Sequence, residues 1–404
     1  MRIAYVCTDP GVPVFGSKGS SIHVQEVVRG FARTGAEVTL FATRLGADPP
    51  SDLRGIAVHR LPSPPGDEPA ARELAGLAAN SALRAALAEH GPFDLIYERY
   101  ALWSRDAMEH ARAMGRPGIL EVNAPLIEEQ ARHRILVHRA EAEAVATRVF
   151  AAARALVAVS PGVGAYLAEQ GVEPERIHVV PNGVDPGRFR AVGPECGAEY
   201  GPTAATRADR PFTVGFLGTL KPWHGLGILL DAFARAQRDD PDRRLLIVGD
   251  GPERGMIESV AARLGIASAV VLTGAVAPHQ VPARLAEMDV AVAPYPDQPG
   301  FYFSPLKIVE YMAAGLPVVA SRIGDLHRIV RHEVSGLLCP PGDPGALASA
   351  IERLRRDPAL CRRLGAAGRE AVLAEHTWDA VVARIHDLAG LRPRHASRRE
   401  GCSA

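Results

Sequence analysis

Residues 300–321 read GFYFSPLKIVEYMAAGLPVVAS, a run in which helical spacing gives way to a β-branched strand. Ser304 and Pro305 precede a predicted short helix, because proline suits a first helical position, where no N–H is needed. The glycine of AAGLP stops that helix, and LPVVAS at 316–321 is the strand that follows.

The same rhythm extends in both directions. Upstream, PFTVGFLG at 211–218, RRLLIVG at 243–249, AVVLTG at 269–274 and DVAVAPY at 289–295 read as strands. Helical patterns separate them at 226–238, 253–264 and 279–287, and others follow at 343–356, 358–374 and 377–389. The first half repeats the scheme. IAYVC at 3–7, EVTLFAT at 37–43, IAVHRL at 56–61, FDLIYE at 93–98, RPGILEV at 116–122, ALVAVS at 155–160 and IHVV at 177–180 read as strands. Helices are expected at 21–34, 71–90 and 127–152, and after Ser160. Strands alternating with helices make parallel sheets. The fold class is therefore α/β: two Rossmann-like domains facing an interdomain cleft, where strand ends and helix N-termini meet a ligand.

The expected boundaries are an N-terminal acceptor domain at 1–190 and a Gly-, Pro- and Ala-rich linker at 191–210. A C-terminal donor domain at 211–375 follows. A terminal helix at 376–391 packs back on the N-terminal domain, and a basic tail occupies 392–404.

Composition narrows the function. Lys and Arg total 46 against 46 Asp and Glu in 404 residues, so no extended basic track for nucleic acid is present. The five cysteines are dispersed, with no CxxC pair, which fits a reducing compartment. No signal peptide or span of about 20 apolar residues is visible, and a cytoplasmic protein with at most peripheral membrane contact is expected. Only Lys18, Lys221 and Lys307 are lysines; the other 43 basic residues are arginines.

Each lysine falls beside a candidate phosphate-binding turn. Gly16 and Gly19 flank Ser17 and Lys18 before a helix carrying His23, so its first amides are open to an anion. GFLGTLKPWHG at 215–225 places Gly218, Lys221 and His224 after a strand. In SPLKIVE, Ser304 and the helix amides suit a diphosphate, Lys307 adds positive charge, and Glu310 accepts from ribose hydroxyls. Asn123 in LEVNAPLIEEQ follows a strand and is placed to orient an acceptor, and Glu128 and Glu129 lie on the next helix. Asp240-Pro241-Asp242 reads as a surface turn, and no metal site is expected.

In order along the chain, VAVSPGVGAYLAEQG, IHVVPNGVDPGRF, IVGDGP and SPLKIVEYMAAGLPVVASRIG resemble the family 4 glycosyltransferases. The resemblance covers nearly the whole chain. It implies the GT-B fold and retaining transfer of a sugar from a nucleotide-activated donor, bound mainly by the C-terminal domain. It also has departures. The second acid of the family's Glu-x7-Glu pattern is Glu310, but the first position holds Tyr302. The family's diphosphate Arg and Lys fall near Thr219 and His224, and a family histidine near Asn123 is absent.

The expected function is a metal-independent retaining glycosyltransferase. It moves a hexose or N-acetylhexosamine-type sugar from a UDP- or GDP-sugar to a hydroxyl of a small-molecule, glycan or lipid-linked acceptor. Lys221, Lys307 and Asn123 carry the chemistry; Gly16, Gly19, Gly218, Lys221, His224, Ser304, Lys307 and Glu310 hold the donor; Lys18, His23 and Asn123 meet the acceptor. An epimerase or hydrolase of sugar nucleotides, and a non-enzymatic sensor of them, are the competing readings.

Overall fold

The computed structural model describes residues 1–63, 68–189, 210–238, 241–298 and 300–391. The expected linker, apart from Arg210, and the basic tail lie outside these residues, as does Asp240. Two units emerge: Met1–Pro181 with Tyr302–Ser304 and the chain from Trp378 onward, and Asn182–Phe301 with Pro305–Thr377.

The first unit holds a seven-stranded parallel sheet: β1 (Arg2–Cys7), β2 (Glu37–Ala42), β3 (Ala57–Arg60), β4 (Leu95–Arg99), β5 (Gly118–Val122), β6 (Ala155–Ala158) and β7 (Ile177–Val179). Their order is β3-β2-β1-β4-β5-β6-β7, so the winding reverses between β1 and β4. Ile3 of β1 stands opposite both Val38 and Leu95. Strands covered on both faces are nearly all apolar, and β1, β2, β5 and β6 are almost wholly buried, while β3 and β7 at the sheet edges are more exposed. On one face Ala4, Val6, Ile96, Leu120 and Val122 enter the main core. Burying each such side chain contributes roughly 1.5–3 kcal/mol before chain entropy is counted. On the other face lie Tyr5, Tyr97 and Glu121, under the helix Gly19–Arg33. The last helix, Trp378–Ala389, packs on that helix at Gly30, where a Cβ would come 2.5 Å from Val382 Cγ2.

The second unit holds a six-stranded parallel sheet: β8 (Thr213–Leu217), β9 (Arg244–Val248), β10 (Val270–Leu272), β11 (Val290–Ala293), β12 (Val318–Ser321) and β13 (Leu337–Cys339). The order is β10-β9-β8-β11-β12-β13, again reversing beside the first strand of the set. Arg210 fastens the start of β8, with its guanidinium 2.8 Å from Asp289 and bonded to Glu287 O.

The structure departs from the sequence reading at several places. The expected helix at 71–90 is two helices, Pro69–Ala78 and Asn80–His90. Asn80 breaks it by bonding Leu77 O and Trp103 O with its amide nitrogen and the amides of Arg105 and Asp106 with its oxygen. The expected helix at 127–152 is likewise split into Leu126–His133 and Arg139–Ala152, because Glu73 accepts the amides of Val137 and His138 that a helix would have used. Helices Asp106–Ala113 and Leu326–Ile329 and strand β13 were not anticipated. Residues 182–189 belong with the second unit: Val184 bridges Thr377, and Arg369 reaches Phe189 O at 2.8 Å.

Candidate functional site

In the second unit, the turn after β8 and the helix Leu306–Ala313 bring Gly218, His224 and Lys307 together. Gly218 has φ +144°, a conformation glycine adopts without cost. A Cβ there would also come 3.0 Å from Lys307 Nζ and 3.2 Å from its Cε. The glycine thus leaves room for the lysine. Lys307 is 8 % exposed, and its ammonium lies over Phe216, 4.2 Å from the ring centroid, with Tyr295 at 5.6 Å. Among the described residues, Nζ has no hydrogen-bond partner. Burial pulls its pKa down to about 7, against the opposing pull of Glu310. The helix behind it has no side-chain cap at Pro305; the Ile308 amide bonds Pro305 O at 3.2 Å, and the start of the helix faces outward without a capping side chain.

His224 sits in the same turn with Nδ1 2.6 Å from Thr219 O. Burial first, then the neighbouring Lys307, drops its pKa to about 3, so it is a neutral hydrogen-bonding group at physiological pH. Gly225, with φ +70°, starts the helix Leu226–Gln237; a Cβ there would overlap Pro294 O at 1.8 Å. Lys221 is partly exposed and lies 5.5 Å from the Trp223 ring. Ser304 falls with the first unit, and Lys307 and Glu310 fall with the second.

In the first unit, a polar cluster forms around Glu121 at the end of β5. His23 Nε2 is 2.8 Å from its carboxylate, Asn123 Nδ2 donates at 2.5 Å, Arg99 at 3.2 Å, and the Tyr97 hydroxyl also donates to it. Burial opposes the charge of Glu121, but His23, Arg99 and Asn123 outweigh it and hold the pKa at about 2. His23 is 4 % exposed and meets Trp378 edge-on at 5.0 Å. The direct acceptor contact expected of His23 is therefore corrected: its imidazole is an internal partner of Glu121. Asn123 shares the same carboxylate while remaining partly exposed.

Gly16 closes a turn onto Pro13 O and its carbonyl accepts from Gln25. Lys18 occupies the cap position of Gly19–Arg33 without a side-chain cap, and both Lys18 and Gly19 are exposed. Tyr302 lies with the first unit, where its hydroxyl donates to Glu129 at 3.0 Å and its carbonyl accepts from Ser160 at 2.6 Å.

Sequence reasoning missed a cavity of about 380 Å³ in the first unit, at the C-terminal ends of its strands. Thr8, Thr43 and Ser104 line it with hydroxyls, and Leu61, Leu102 and Trp103 with apolar surface. Thr8 Oγ1 is buried without a partner, while Ser104 donates to the fully buried Glu98. Burial raises the Glu98 pKa to about 7, Ser104 opposes that rise, and Asp106 adds to it. The available signal was an acid in LIYER, on the same face of β4 as core residue Ile96. Among the described residues, no cluster of three or more His, Cys, Asp or Glu has the geometry to hold a metal ion. No described helix is long and apolar enough to cross a membrane.

Residues 17–188 match the family described as Glycosyltransferase Family 4, and residues 211–357 match the one described as Glycosyl transferases group 1. The D-inositol 3-phosphate glycosyltransferase of Salinispora tropica is 30% identical over 401 residues, covering 92% of this chain and 80% of that protein. A GDP-mannose-dependent alpha-(1-6)-phosphatidylinositol monomannoside mannosyltransferase of Mycobacterium tuberculosis is 33% identical over 225 residues, covering 55% of this chain and 57% of that one. Among solved structures, the sucrose-phosphate synthase of Thermosynechococcus elongatus superposes with a TM-score of 0.73 at 23% identity, covering 96% of this chain and 98% of that one. That likeness supports the fold.

Proposed function

We propose, on the premise that this chain belongs to the family 4 glycosyltransferases and has their GT-B fold and sugar-transferring activity, that its donor is a UDP- or GDP-sugar seated on Lys307. The observation that carries this reading is the buried ammonium with no hydrogen-bond partner among the described residues, beneath Gly218 and beside an uncapped helix start. Leaving that charge unpaired is costly, and a diphosphate is the anion whose size and charge suit lysine and amides together. The family's diphosphate Arg and Lys fall near Thr219 and His224 in the resemblance, and in this reading Lys307 supplies the cationic role, with Lys221 in the turn after β8. Neutral His224 contributes a hydrogen bond rather than charge.

The proposed transfer is of a hexose or N-acetylhexosamine-type sugar to an acceptor hydroxyl, with retention and without a metal. The C1–O bond to the diphosphate breaks, and the acceptor oxygen forms the new bond to C1 on the same face. The hydroxyl proton passes to the departing phosphate oxygen. Lys307, Lys221 and the helix amides stabilise the negative charge that develops on the leaving group. Glu310 and Ser304 bind the nucleoside diphosphate, while Lys18 and Asn123 orient the acceptor. Glu121 fixes Asn123, and His23 fixes Glu121.

A donor panel tests this reading. Wild-type protein incubated with UDP- and GDP-sugars and candidate acceptors is expected to give a mass gain of one glycosyl residue tied to one donor. Release of free sugar from every donor, with no acceptor gaining mass, would instead assign a hydrolase.

A further inference from the structure

The end of the first sheet away from Glu121 and Asn123 carries a second concentration of charge. Two adjoining clefts of about 390 and 520 Å³ open where the helices Asp106–Ala113 and Arg139–Ala152 finish and β5 begins, and they share Arg112, Ala151 and Ala152. Around this continuous groove stand Arg112, Arg116, Arg148, Arg154 and Arg176. Among the described residues, Glu109 is the only acid lining it. In a chain whose formal charges cancel, five arginines against one glutamate is a pronounced local excess.

The five are not equally committed. Arg148 is neutralised by Glu109, 2.7 Å away. Arg176 pairs with Glu173 at 2.6 Å and also donates to Phe150 O and Ala153 O. Arg112, Arg116 and Arg154 are exposed, and among the described residues none of the three has a carboxylate within ion-pair distance. The helix ends beside them are already served. The carbonyls of Ala111 and Arg112 accept from the amides of Arg116 and Gly115 at 2.9 and 3.1 Å, and Arg176 takes the carbonyls at the end of the second helix. Three guanidinium groups are therefore left over. Each stays charged across the physiological range, and its planar fork matches two oxygens of one phosphate. Between them the floor is made of Gly118, Ala151 and Ala152, whose small side chains leave the recess open to a compact, multiply charged anion.

We propose that this groove binds a small oligophosphate, the phosphate chain of a nucleotide or a free polyphosphate anion, between Arg112, Arg116 and Arg154. Arg148 and Arg176, held by Glu109 and Glu173, form its sides. The site is separate from sugar transfer. Gly118 opens β5 at the groove, and Glu121 and Asn123 lie at the other end of that strand. The inference also stands apart from the donor reading, because no residue of the groove takes part in it.

The test is calorimetric titration of inorganic triphosphate and of ATP into Lys307→Ala at low ionic strength, a background without the lysine assigned to the donor diphosphate. One equivalent of triphosphate is expected to bind. Adding R112A/R154A should lower its affinity roughly tenfold or more, since each change removes a charge-assisted contact. Arg54→Ala, which removes an exposed arginine outside the groove, should leave it unchanged. Where Lys307→Ala does not fold, the same loss is read between wild type and R112A/R154A. The groove arginines are exposed, so far-UV circular dichroism and UDP or GDP binding of R112A/R154A should match wild type. ATP binding more tightly than triphosphate supports a nucleotide as the source of the phosphates, and equal affinities support the phosphate chain alone. The proposal is overturned if neither anion binds, if R112A/R154A binds both as tightly as its parent, or if Arg54→Ala weakens binding as much. It is also overturned if duplex DNA or phosphatidylglycerol vesicles bind through Arg112 and Arg154 and triphosphate does not displace them.

Discussion

The Lys307 ammonium lies 4.2 Å from the centroid of the Phe216 ring, and the glycine above it, Gly218, is the only residue type whose side chain leaves that ammonium undisturbed. A cation on an aromatic face is attracted to it by roughly 0.5–2 kcal/mol, too little to offset the loss of hydration of a buried ammonium. The arrangement therefore leaves a lysine whose protonated form an incoming anion would stabilise.

Gly218→Ala should weaken nucleotide binding while leaving the second unit folded. The new methyl meets the flexible end of Lys307 rather than backbone, and φ +144° adds local strain of about 1–3 kcal/mol. Isothermal calorimetry with UDP and GDP checks the binding, and thermal unfolding checks the fold. Unchanged affinity would separate Gly218 from the lysine's role.

Lys307 also gives binding a pH signature. In the free protein its pKa is about 7 against an ordinary 10.5. A bound diphosphate favours the protonated form, so above pH 7 binding takes up a proton and affinity falls, approaching tenfold per pH unit. Between pH 7 and 10.5 the unfolded chain binds more protons at this lysine than the folded one, so its contribution makes stability rise with pH. Calorimetry in buffers of different ionisation enthalpy measures the proton uptake, and Lys307→Met should abolish both effects.

Glu121 should behave in the opposite sense. Its folded pKa of about 2 lies below the ordinary 4.5. The stability it contributes is complete above pH 4.5 and is lost as pH falls toward 2, about 3 kcal/mol in all. Glu121→Gln should lower urea-unfolding stability at pH 7 and flatten that acid limb. If the variant matches wild type at both pH values, the cluster of His23, Arg99 and Asn123 is not held by this carboxylate.

His386 is fully buried in the last helix, stacked on Phe31 at 5.6 Å, with neither ring nitrogen hydrogen-bonded among the described residues. Burial holds its pKa below 6.5, against the opposing pull of Asp387. As pH falls below 6.5 the unfolded chain protonates first, so stability falls. His386→Leu should remove that slope and stabilise the chain by about 1–2 kcal/mol, since an unsatisfied buried polar group is replaced by an apolar one. Thermal unfolding between pH 5 and 8 is the check.

Both sheets could be read from the sequence because doubly covered parallel strands are continuous apolar runs, such as IAYVC and DVAVAPY, set between glycine turns. The broken helices could not. Asn80 and Glu73 interrupt them through bonds to residues 23 to 65 positions away, and local periodicity carries no trace of such partners. The same limit governs the candidate site. Gly218 and His224 could be picked out as candidates because they sit at a strand-to-helix turn, and Lys307 because it opens a helix. His23 looked like a surface ligand because nothing near it in sequence reveals Glu121, 98 residues away. The cavity was invisible for the same reason: its walls come from six separate stretches of chain.

The account turns on whether Lys307 holds the donor's diphosphate. Its most direct test is calorimetric titration of UDP and GDP into wild type and Lys307→Ala at pH 6.5, where the lysine is largely protonated. One of the two nucleotides should bind wild type, and the variant should bind it roughly ten- to a hundredfold more weakly, the loss expected for a buried charge-assisted contact. Equal dissociation constants for a folded Lys307→Ala and wild type would place the diphosphate elsewhere and contradict the account.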